Sequence, residues 1–189
     1  CGIIGYKPSS LICSNKDLIL LSHTYDSIGL MSSKVSNINN IFNIINSFNY
    51  KNKKIIKKIE KIKCLIPTQA LEGDISPDVL QDFRFIISKL KKNNIDFEMK
   101  RLDCWSPRYH RRSLLKIIEN EGAQNLNELI NNNKSKITIN LRNNLLFGKN
   151  ITNETIKTLK HDLKDLKKRI ISTFEEYDLI IMPTTPQNS

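Results

Sequence analysis

The sequence predicts an α/β fold, on three observations. Residues 62–102 read as strand, helix, strand. Two long segments, 114–130 and 152–174, read as helices, and in the second Ile156, Leu159, Leu163, Leu166, Ile170 and Phe174 share one face. Near the end, Asp178-Leu179-Ile180-Ile181-Met182 is a short apolar run stopped by Pro183, as a buried strand would be. Strands alternating with helices put the chain in the α/β class.

Taken in order, the opening Gly2-Ile3-Ile4-Gly5-Tyr6 is β-branched and bounded by Lys7-Pro8-Ser9-Ser10, and is expected to be a buried strand or turn. From Lys34 to Phe48, the residues Val35, Ile38, Ile41, Phe42, Ile45 and Phe48 fall three and four apart, which predicts an amphipathic helix despite many asparagines. Residues 50–63 carry Lys51, Lys53, Lys54, Lys57, Lys58, Lys61 and Lys63 and read as a solvated connector. Ile62–Ile66, closed by Pro67, is a strand candidate. Ser76-Pro77 is the clearest local signal: a hydroxyl to cap, a proline for the first helical position, then Asp78 in the first turn. Val79, Leu80, Phe83, Ile86, Ile87 and Leu90 continue as a stripe to Lys91-Lys92-Asn93-Asn94. Ile95, Phe97 and Met99 then alternate as a strand should.

Composition narrows the function classes. There are 29 Ile, 23 Lys and 22 Asn against two Ala among 189 residues, the residues that A/T-rich codons specify. The net charge of +11 therefore reflects lysine excess as much as any anionic partner. No run approaches the length of a membrane helix, and no signal peptide is visible. Cys1, Cys13, Cys64 and Cys104 stand apart, without CxxC or Cys/His ligand spacing, and read as buried free thiols of a reducing compartment.

Residue chemistry assembles no catalytic centre. Gly2-x-x-Gly5 is too short for a dinucleotide fingerprint and reads as close backbone packing. Lys7 with Ser9 or Ser10 has the spacing of a Ser–Lys pair, but nothing in the sequence desolvates the lysine. His23, His110 and His161 lie in unrelated contexts, with His161 expected on a polar helix face. Arg108-Tyr109-His110-Arg111-Arg112, with Trp105 nearby, has the residues to hold a phosphate or stack on a base; it also reads as an exposed helix entry capped by Ser113. Glu119, Glu121, Asp162 and Asp165 have polar-face spacing.

The order of segments adds a resemblance. Cys1-Gly2-Ile3-Ile4-Gly5-Tyr6-Lys7-Pro8-Ser9 resembles the C/F-G-x-x-G-x-K-P-T run of the amidase signature family. Leu21-Ser22-His23-Thr24-Tyr25-Asp26-Ser27-Ile28-Gly29-Leu30-Met31 is similar to its P-L-S-x-S-x-D-T-I-G-P-M segment, with Leu30 in place of the proline. The helix with Lys34 and Val35 resembles an R-S-V-x-D helix, with Asn37 where aspartate is usual. Ser10-Leu11 replaces a glycine-containing turn. Glu119-x-Glu121-Gly122-Ala123 resembles an E-G/A-A helix. Phe174 to Pro186 resembles F-x-x-Y-D-x-x-x-x-P-T-T-P.

The resemblance implies part of an α/β/α sandwich, a mixed sheet flanked by helices, with 1–189 a partial, incomplete domain. By the same resemblance it is expected to lack the N-terminal catalytic core segment and the C-terminal end. The implied chemistry is amide hydrolysis by a Ser–cis-Ser–Lys triad without metal or cofactor. The triad lysine, the G-G-S-S-G-G serine and the D-T-G-G-S-I-R serine all belong upstream of Cys1, so no catalytic residue is expected in these 189 residues. Lys7 matches the K-P lysine and not the catalytic one. The expected partner is a small-molecule amide, in the cytoplasm, without nucleic acid or membrane. One alternative is the A subunit of glutamyl-tRNA(Gln) amidotransferase, although its G-x-E-V-K-R-R-I segment is not found where Leu141 to Gly148 stand. Others are a non-catalytic remnant, or a basic binding module using the Lys51–Lys63 run and the Arg108–Arg112 cluster.

Overall fold

The computed structural model describes residues 2–9, 18–49, 61–132 and 137–187. The chain divides into two compact units, Cys1–Ile56 with Leu115–Thr152, and Lys57–Leu114 with Asn153–Ser189.

The second unit contains the predicted strand–helix–strand. Strand β3 (Ile62–Pro67) lies between β4 (Ile95–Lys100) and β5 (Leu179–Ile180), parallel to both. A parallel neighbour requires a crossover, which α2 (Pro77–Leu90) supplies between β3 and β4. Ser76 accepts a hydrogen bond from the Val79 N–H at 3.4 Å, the cap that Ser76-Pro77 predicts. At the far end Asn94 takes a left-handed turn (φ 57°) into β4. The apolar run of β3 is explained by its central place: Cys64, Leu65, Ile66 and Pro67 are all buried, Leu65 completely. Ile66, Phe83 and Ile87 form one cluster, and Leu65, Leu102 and Tyr177 another. Helix α6 (Asn153–Thr173) buries Ile156 and Leu159 of its predicted stripe.

Three expectations change. Asp178–Met182 is a two-residue strand, and Leu179 is 49% exposed, because among the described residues β5 has a neighbour on one side only. Ile86 falls outside the buried stripe of α2, and Phe174 outside that of α6; both are exposed. The helix expected from Leu114 begins seven residues earlier: α3 runs Pro107–Asn125, and a separate α4 (Asn127–Asn132) follows. Ser113 is therefore no cap. It sits inside α3 and donates to the Tyr109 carbonyl four residues back at 3.0 Å.

In the first unit, β1 (Ile4–Tyr6) pairs antiparallel with β2 (Leu30–Ser32), and α1 (Val35–Asn49) follows. Tyr6 meets Phe42 of α1 edge to face at 5.2 Å. The opening strand is exposed rather than buried, with Ile3 at 53%, since a two-stranded ribbon has no inner position. Of the α1 stripe only Ile38 is buried among the described residues. An unpredicted helix, α5 (Ile139–Lys149), starts at a Thr138 cap and buries Leu145 and Gly148. Gly148 lies so close to α3 that a Cβ there would collide with the Glu119 carbonyl, and Asn120 Nδ2 donates to the Gly148 carbonyl at 3.0 Å. Only glycine permits that approach.

Most of the lysine run lies outside the described residues. Lys63 belongs to β3 rather than to a connector and pairs with Glu176 at 3.0 Å, while Lys61, exposed just before the strand, pairs with Asp96 at 2.7 Å. No described helix is long and apolar enough to cross a membrane.

Candidate functional site

The carboxyl ends of β3, β4 and β5 open on the same side of their sheet, and their outgoing segments border a cleft of about 680 Å³. Open parallel sheets characteristically bind ligands at this end, where backbone leaves the ladder and side chains from several loops converge. Gln69, just after β3, is nearly fully buried and joins the segments. Its amide nitrogen donates to the carbonyls of Leu102 (2.6 Å) and Trp105 (3.0 Å), and its oxygen accepts from the Leu102 N–H (3.1 Å). One side chain thus fixes the path from β4 into α3. The exit from β5 is fixed by the Ser76 N–H donating to the Pro186 carbonyl at 2.8 Å. Glu72 is paired with Arg101, whose Nη1 lies 3.0 and 3.1 Å from its two oxygens.

The first turns of α3 sort the Arg/aromatic cluster. Arg108, Arg111 and Arg112, three and four apart, line the cleft together with the half-buried Trp105. Tyr109 instead donates to Asp162 at 2.7 Å, and that bond raises its phenol pKa. His110 Nδ1 accepts from the Ser106 N–H at 3.0 Å, so it serves the helix entry.

The first unit has a different kind of centre, a buried carboxylate. Glu121 is 8% exposed and Ser22 is fully buried. Ser22 Oγ donates to Glu121 at 2.6 Å, and Thr24 donates to it through Oγ1 (2.7 Å) and its N–H (3.1 Å). The turn closes on itself as Asp26 accepts from the N–H groups of Leu21 (2.7 Å) and Ser22 (3.1 Å). Burial, then the Glu121 charge, push the Tyr25 phenol up. A carboxylate gathering this many donors positions a segment.

Each candidate from the sequence now has a place. Lys7 and Ser9 are exposed, and Ser10 lies outside the described residues, so nothing desolvates the lysine of that pair. His23 is exposed in the 22–26 turn. His161 is exposed and lies 3.4 Å from Asp165, which also pairs with Lys168 at 3.3 Å. Glu121 is the correction: it is not on a polar face but buried. Glu119 is partly buried, and burial raises its carboxyl pKa. Cys64 is buried and free, its thiol pushed up by burial, and Cys104 is free and half-buried; Cys1 and Cys13 lie outside the described residues. Among the described residues no three His, Cys, Asp or Glu side chains gather as metal ligands would. Sequence reasoning matched both the 21–31 and the 119–123 segments but did not join them. Nothing local to either one signals a bond across 99 residues.

Comparison with known proteins agrees with this architecture. A solved amidase structure superposes with a TM-score of 0.86 at 16% identity, covering 100% of this chain and 42% of that one. The glutamyl-tRNA(Gln) amidotransferase of Thermotoga maritima has an A subunit that superposes at 0.65 with 18% identity, covering 98% of this chain and 43% of that one. The chain thus spans less than half the length of either protein. No curated protein matches it. At these identities the likeness establishes the fold, which is the expected α/β one. The family model described as Amidase matches residues 1–189 from end to end, and the chain belongs to that family.

Proposed function

We infer that the protein is an amide hydrolase acting on a carbon–nitrogen bond of a small carboxamide, and that residues 1–189 are scaffold for that chemistry. The observation that carries this reading is the match of the Amidase model to the whole of residues 1–189. In the proposed reaction a neutral lysine, through a bridging serine, takes the proton from a serine nucleophile as it attacks the amide carbonyl. Backbone N–H groups hold the tetrahedral oxyanion. The C–N bond then breaks, the amine leaves with the proton, and water hydrolyses the acyl-serine. We place all three side chains in residues that precede Cys1.

Within this chain, the Glu121 knot fixes the 22–26 turn and Gln69 fixes the strand-end loops. The free thiols at Cys64 and Cys104 are in keeping with a cytoplasmic setting.

The test is ammonia release from a panel of aliphatic and aromatic carboxamides. Two proteins are compared: the 189-residue chain, and the same chain extended upstream through its own coding sequence. The extended protein is expected to release ammonia and the 189-residue chain to match a denatured control. Hydrolysis by the short chain overturns the placement of the triad. An extended protein that carries both glycine/serine runs and hydrolyses no member of the panel overturns the activity itself. An upstream stop codon would identify a remnant.

A further inference from the structure

The amide-hydrolase reading leaves the arginine cluster of α3 without a task. Arg108, Arg111 and Arg112 lie on one helix face and line the strand-end cleft, with Trp105 beside them. Among the described residues no carboxylate pairs with any of the three. Two carboxylates border the same cleft, Glu72 and Asp74. Glu72 is engaged by Arg101 through both oxygens, which leaves Asp74 against three guanidinium groups. Like charges on successive turns of one helix repel, and an anion placed between them removes that cost. Of the other carboxylates, Asp162 is engaged by Tyr109, and Asp103 borders an adjoining recess with Arg108 without pairing with it among the described residues. The cleft floor is stiffened by the three bonds of Gln69, so the guanidinium groups project from a fixed frame.

We propose that this cleft binds an anionic ligand bearing a carboxylate or a phosphate, held by the guanidinium forks of Arg108, Arg111 and Arg112. Planar donors of this kind match the two oxygens of either group in a bidentate manner. Trp105 receives the flat or apolar part of the ligand. The anion titration reads this cleft independently of amide hydrolysis, so failure of one reading does not entail failure of the other.

Trp105 is the only tryptophan in the chain, so its emission reports on this cleft alone. The 189-residue chain is titrated with sodium phosphate and, separately, with sodium succinate, ionic strength being held constant with sodium chloride. A saturable change in Trp105 emission with at least one anion is expected. Phosphate alone or succinate alone identifies the group bound, and either supports the site. The double variant Arg111→Gln, Arg112→Gln should weaken the response about tenfold or more. If that variant loses its helical circular dichroism, Arg108→Gln alone should weaken it by about tenfold. No saturable change with either anion overturns the proposal, as does a saturable change that folded variants leave intact.

Discussion

In the unit that carries β3, β4 and β5, the central residues Leu65, Phe83 and Ile87 are apolar, and removal of their surface from water holds them. In the unit that carries β1 and β2, a smaller apolar cluster of Ala123 and Leu145 is joined by the buried polar groups Ser22 and Glu121, which hydrogen bonds hold. The two means fail differently. An apolar cluster loses stability in proportion to the volume removed. A polar knot loses little if both partners are replaced and much if one is left alone, because each buried donor then keeps its desolvation cost.

The comparison can be broken first on the apolar side. Phe83→Ala should cost about 3–5 kcal/mol in urea unfolding, leaving a cavity between α2 and the sheet. A loss below about 1 kcal/mol would mean the cluster is not packed as described. On the polar side, Glu121→Ala strands the Ser22 and Thr24 donors and should cost about 2–4 kcal/mol. Limited proteolysis should then cut within residues 21–26 while the β3–β4 region stays protected. Gly148→Ala forces a methyl against the Glu119 carbonyl and should cost about 1–3 kcal/mol. Ser76→Ala removes only a cap, at about 1 kcal/mol.

The subtlest expected effect is on pH dependence. Tyr177 Oη is buried, and burial, with the nearby Glu98 and Glu176 carboxylates, holds its phenol well above the usual range. Above the ordinary phenol pKa the unfolded chain ionises there and the folded chain does not, so stability should fall as pH rises through and beyond that range. Lys63, over the Tyr177 ring at 4.6 Å and paired with Glu176, has its pKa raised by that pair and adds a loss of the same sign. Tyr177→Phe should therefore lessen the alkaline decline without abolishing it, read from unfolding midpoints across alkaline pH.

The same contrast explains what was legible in the sequence. The β3–α2–β4 unit was readable because its signals are local: a Ser-Pro cap, a stripe at helical spacing, an alternating strand. Ser106-Pro107 is the same cap signal repeated, and it marks the seven residues of α3 that lie ahead of the expected start. Helix α5 escaped because its apolar residues do not mark one face: Leu145 is buried, while Ile139, Leu141, Leu146 and Phe147 are exposed. The exposure of β1 follows from having one partner strand among the described residues, which β-branched composition does not reveal. The strand-end cleft and the Glu121 knot are assembled from segments far apart in the chain, so no window of sequence contains either. The family was legible because its motifs are local runs at the two ends, and it holds across the chain.

The central proposal is that this chain serves as amidase scaffold and that the nucleophile is carried outside residues 1–189. Intact-mass measurement after treatment with a serine-phosphonylating reagent tests it most directly. The upstream-extended protein should gain a single label and lose amide hydrolysis in step with labelling, while the 189-residue chain gains none. A label on a serine within residues 1–189 that tracks with activity would contradict the claim.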